Sequence, residues 1–118
     1  FNSHIKTLKN ILQKKSEAIC NALDKYFVSS AEYKKPDGGI FVWVDMHKKV
    51  DTSRLYELAL KDGVAINPGN EWSINKSGRH KMRLCFGNPS IKEIDEGIKR
   101  LAIICRKEFG IPTKIANL

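Results

Sequence analysis

Apolar residues change period along this chain, and that change narrows its possible folds more than any other feature. Ile5, Leu8, Ile11, Leu12, Ile19, Ala22, Leu23, Tyr26 and Phe27 recur at helical spacing with lysines between them, so residues 3 to 27 read as one long amphipathic helix. Ile40-Phe41-Val42-Trp43-Val44 is then apolar at every position and rich in β-branched and aromatic side chains, the pattern of a strand covered on both faces. Asp51 is placed to cap a second helix, carried by Leu55, Leu58, Ala59 and Leu60 and stopped at Gly63. A short strand, Val64-Ala65-Ile66, meets a turn at Asn67-Pro68-Gly69, and residues 70 to 80 form a polar loop tipped by Lys76-Ser77-Gly78-Arg79. A strand with Met82, Leu84 and Phe86 on one side follows. Ser90 and Glu93 then make a capping box before a stripe at Ile94, Ile98, Leu101, Ala102 and Cys105, with Phe109 near the end and Gly110 as the stop. The order helix, strand, helix, short strand, strand, helix predicts an α/β two-layer domain with its helices on one face of a small sheet.

At 118 residues and 42% hydrophobic, the chain is the size of one domain and can bury an ordinary core. It opens at Phe1 and its two methionines are Met46 and Met82, so it is expected to be a piece of a longer protein. The net charge of +8 comes from basic residues scattered among acids, as in Lys14-Lys15-Ser16-Glu17. No basic patch interleaved with aromatics stands out, so nucleic-acid binding by this segment is not expected. Cys20, Cys85 and Cys105 are far apart and form no CxxC, while His4, His47 and His80 have no metal-binding spacing. Reduced thiols fit best, and neither a membrane span nor a signal peptide is legible, so a cytoplasmic parent is expected.

Arg83 is the residue that suggests chemistry. Alternation puts Arg83 and Cys85 opposite Met82, Leu84 and Phe86, which mounts a guanidinium on a rigid strand. A planar five-donor fork held that way suits bidentate capture of a carboxylate or phosphate, whereas a strand needing only solubility is served by any polar side chain. The Gly38-Gly39 pair lacks the strand-before, helix-after setting of a nucleotide loop and reads as a turn. Trp43, one aromatic in an apolar strand, reads as core. Cys85 shares the Arg83 face, but a nucleophile needs a base that the sequence does not pair with it.

Four stretches carry a resemblance in order and spacing: Pro36-Asp37-Gly38-Gly39-Ile40-Phe41-Val42-Trp43-Val44, Gly63-Val64-Ala65-Ile66-Asn67-Pro68-Gly69, Met82-Arg83-Leu84-Cys85-Phe86, and Pro89-Ser90 followed by Glu93 to Leu101. Together they resemble the C-terminal small domain of class I/II aminotransferases, the fold type I pyridoxal-phosphate enzymes, over nearly the whole chain. The resemblance implies a mainly antiparallel sheet, with residues 1–35 as a long interdomain helix and connector and residues 36–118 as the sheet-and-helix core. It implies that Arg83 binds the α-carboxylate of an amino-acid or 2-oxo-acid substrate and that closure of this domain accompanies binding. It also implies that pyridoxal 5'-phosphate and its lysine belong to a large domain upstream, so that Lys81 is not the cofactor lysine and this fragment alone is inactive. A homodimer is implied for the full protein.

The ending Cys105-Arg106-Lys107-Glu108-Phe109-Gly110-Ile111-Pro112 is similar to stand-alone aminotransferases of the aminoadipate and branched-chain or aromatic type. Two alternatives use the same residues. One is the effector-sensing domain of a winged-helix transcription regulator of the GntR/MocR type; the other is an autonomous binding module whose basic surface grips an acidic partner.

Overall fold

The computed structural model describes residues 2–36, 39–69 and 78–114, with the side chains of residues 2–5 left aside. Along the chain run α1 (Asn2–Phe27), β1 (Ala31–Tyr33), β2 (Phe41–Met46), α2 (Thr52–Lys61), β3 (Asn67–Pro68), β4 (Lys81–Cys85) and α3 (Ile91–Phe109). The strands form one sheet in the order β1-β2-β4-β3, and every neighbouring pair is antiparallel. The two-layer α/β arrangement is therefore as the sequence predicts, with the helices gathered on one face.

Alternation decides which face they cover. Val42, Val44 and Met46 of β2 and Met82 and Leu84 of β4 are buried, and they join Ile19, Leu23 and Phe27 of α1 and Ile94, Ile98, Leu101 and Cys105 of α3 in one core. Ser90 accepts from the Glu93 amide at 3.1 Å while the Glu93 carboxylate accepts from the Ser90 amide at 2.9 Å, closing the capping box at the start of α3. At its end Gly110 takes the left-handed conformation and donates to the Arg106 carbonyl. Asp51 caps α2 by accepting from the Ser53 amide at 3.0 Å. The Tyr26 hydroxyl donates to Asp95 at 2.8 Å, tying α1 to α3.

Several expectations need correction. The run from Ile40 to Val44 is covered on one face only, and Trp43, expected in the core, is 53% exposed. Asp45 explains why: it extends the 41/43 parity with a charge, so that parity faces outward. The short strand lies at Asn67–Pro68 instead of 64–66, because these two residues meet Arg83 and Met82 across the sheet. Pro68 is tolerated there because β3 is an edge strand. β1 falls within the segment expected to be a connector, and in α2 Leu60 is exposed while Thr52, Leu55 and Ala59 are buried. α1 buries its face only from Ser16 onward; Leu8 and Ile11 are exposed. Ile5, Gly38 and residues 70–77 of the polar loop lie outside the described side chains.

Candidate functional site

The side of the sheet away from the helices carries the other parity: Phe41, Trp43 and Asp45 from β2, Lys81, Arg83 and Cys85 from β4. Register sets their rows. Phe41 stands opposite Cys85, Trp43 opposite Arg83, and Asp45 opposite Lys81, while Asn67 flanks Arg83 from the other strand. Arg83 thus occupies an interior strand, between two neighbours, where its backbone is held on both sides.

Its side chain leans toward one end of this face. The guanidinium carbon is 4.1 Å from the centre of the Phe41 ring and 5.7 Å from that of Trp43, although Trp43 is the residue directly across. Both distances fall within the range of cation–π attraction. Nε is buried without a hydrogen-bond partner, and among the described residues no carboxylate stands within ion-pair distance of Arg83. Asp45, the acid on the same face of β2, is instead 3.0 Å from His80. An arginine half-buried against two rings, with its donors uncommitted to any described acid, can receive an anion.

The other residues singled out from sequence fall into place around it. Lys81 shares the face but is exposed, two residues toward the Asp45 end. Cys85 is half-buried beside Phe41, and the described residues offer no metal-binding cluster. Cys105 sits in the core, and burial pushes its thiol up to about 12, so it is inert. Phe41 is the site residue that sequence reasoning passed over. Its parity with Asp45 identifies the open face, whereas its proximity to Arg83 depends on the β2–β4 register, which no local pattern states.

Comparison with known proteins supplies the family. The profile of the family "Aminotransferase class I and II" matches residues 1–101. The chain belongs to this family. An uncharacterized aminotransferase of Saccharolobus solfataricus is 34% identical over 93% of this chain and 27% of its own length. The α-aminoadipate aminotransferase LysN of Thermus thermophilus, solved in complex with N-(5'-phosphopyridoxyl)-L-leucine, superposes with a TM-score of 0.81 at 28% identity, covering 91% of this chain and 28% of that one. An uncharacterized HTH-type transcriptional regulator of Bacillus subtilis is 28% identical over 91% of this chain and 22% of its own length. The chain spans about a quarter of the length of the relatives it matches. No described helix is long and apolar enough to cross a membrane.

Pyridoxal phosphate is the cofactor of the family, and the described face does not fit it. The face holds one guanidinium against aromatic rings, uncommitted to any described acid, and the described lysine that shares it, Lys81, is exposed at the Asp45 end. The same features do fit the carboxylate of a small substrate.

Proposed function

We propose that this chain is the C-terminal small domain of a pyridoxal-phosphate-dependent amino-acid aminotransferase, and that Arg83 binds the α-carboxylate of its amino-acid and 2-oxo-acid substrates. The observation that carries the reading is the Arg83 fork, held on an interior strand between Phe41 and Trp43 and unpaired with any described acid. When bound, the cofactor supplies an electron sink for the negative charge that develops at the substrate α-carbon. This chain's contribution is orientation. Two parallel N–H donors on a planar carboxylate fix its rotation as well as its position, and fixing one end of a small substrate sets the direction of the bond to be broken at the other. The aromatic walls exclude water from one side of the pair, which strengthens it.

The same contact gives a reason for the domain to move. A carboxylate gripped by Arg83 and held elsewhere by the remainder of the protein draws this sheet toward it, so that binding and closure are coupled. In this arrangement the open face turns toward the large domain, and the full protein works as a homodimer in the cytoplasm. A second reading is favoured by the Bacillus subtilis relative, an HTH-type transcriptional regulator: the same domain, behind a winged-helix segment, sensing pyridoxal phosphate or an amino compound. The segment upstream in the full-length protein separates the two.

The test is substitution at Arg83 in the full-length protein. Arg83→Ala should lower kcat/KM for amino acids by about 2–4 kcal/mol, roughly thirtyfold to a thousandfold, and Arg83→Lys by less, since it keeps the charge and loses the fork. Cofactor binding should be unchanged. An amine lacking the α-carboxylate should react alike with parent and variant. Intact amino-acid turnover in Arg83→Ala would sink the assignment.

A further inference from the structure

We propose that Phe41 is a positioning residue that aims the Arg83 fork by stacking beneath it in place of an ion pair; the inference rests on the carboxylate-binding reading of Arg83. An arginine side chain has a long flexible stem, and a fork that is to grip in one orientation has to be fixed by something. In many proteins an acid does this. Here the acid on the same face of β2, Asp45, is engaged with His80, and Arg83 leans the opposite way, closer to Phe41 than to the ring directly across from it.

The choice of a ring has a chemical consequence. A carboxylate partner would occupy two of the fork's donors and would have to be displaced by each arriving substrate. An aromatic face attracts the cation through its quadrupole and leaves every N–H free. Arg83 is then fixed in direction and, among the described residues, paired with no acid, the state in which an incoming carboxylate gains most. The ring is itself held. The Phe86 amide donates to the Ile40 carbonyl at 2.8 Å, which locks the end of β2 beside Phe41. Gly87 leaves room for the Ile40 side chain, since a Cβ there would stand 3.0 Å from Ile40 Cγ2.

The experiment uses the full-length protein and three variants: Phe41→Leu, which keeps apolar bulk without the π-face, Phe41→Tyr, which keeps the face, and Arg83→Ala. The substrates are the fastest of L-2-aminoadipate, L-leucine, L-phenylalanine and L-kynurenine, and the amine formed from that amino acid by decarboxylation. Phe41→Leu should raise KM for the amino acid about two- to thirtyfold with little change in kcat, leave the amine's kinetics alone, and be rescued by Phe41→Tyr. Independently of activity, the Arg83 Nε–H proton resonance, shielded by the ring in the parent, should move downfield in Phe41→Leu and return in Phe41→Tyr. If Arg83→Ala loses the preference for the amino acid while Phe41→Leu retains it, the Phe41 inference is overturned and the Arg83 reading stands. If Arg83→Ala keeps the preference, the Arg83 reading fails and the inference fails with it.

Discussion

A side chain at Gly69 would collide with the carbonyl oxygen of Gly78, so the backbone at these two glycines meets in close approach beside β3 and β4. A Cβ on Gly69 would also lie 2.8 Å from the Lys81 carbonyl, and both obstacles are backbone. Gly69→Ala should therefore force β3 away from β4 at the point where Asn67 faces Arg83. The expected loss is about 1–3 kcal/mol of stability, read as a lowered urea midpoint with an unchanged slope. An unchanged midpoint would show that the backbone there yields without cost.

Val28 ends α1 in the left-handed region, with φ 55, and is 56% exposed. A β-branched residue is strained there, and a glycine is not. Val28→Gly should relieve about 1–2 kcal/mol of strain and return part of it as greater freedom of the unfolded chain. We expect a small net gain, seen as a rise in melting temperature. A fall would mean that the Val28 side chain contributes packing that its exposure conceals.

The three thiols should separate by burial. Cys20 and Cys105 are buried and Cys85 stands half-buried on the open face, so the folded chain should show one fast thiol toward a small aromatic disulfide reagent at pH 8. Cys105 further predicts the sign of a pH effect. Its folded value, about 12, exceeds the unfolded value, so its contribution is whole below the unfolded value, about 8.5, and declines as pH rises toward the folded one. In that window the unfolded state binds fewer protons, and stability should fall by up to about 1.4 kcal/mol per pH unit. Denaturant midpoints of the parent and Cys105→Ala between pH 8 and pH 10 check this; equal slopes for the two would refute it.

How far the sequence reveals this domain differs element by element. α3 was fully legible, because its capping box, its apolar stripe and its left-handed glycine are local signals that agree with one another. β1 was not, since Ala31–Tyr33 is too short to show alternation and exists only because β2 offers it an edge. In β2 four consecutive apolar residues, Phe41 to Val44, hide the parity that Asp45 alone betrays, which is why Trp43 reads as core. At the site, the type and face of Arg83 were readable from one strand. Its contact with Phe41 required the pairing of two strands some 40 residues apart, and register of that kind is settled by the packed core rather than by either strand alone.

The half-buried α1 has a mechanical meaning. From Lys15, whose ammonium donates to the Gly87 carbonyl at 3.1 Å, to Phe27 the helix is bolted to α3 and the sheet, while residues 2–14 before it extend as a stiff arm about 20 Å long at 1.5 Å per residue. Any rotation of the domain about its core must sweep that arm through an arc, and a turn of only about 10° displaces its tip by about 4 Å. The fold thus carries its own amplifier: a small tilt of the face that bears Arg83 becomes a displacement of several ångströms at the far end of the helix.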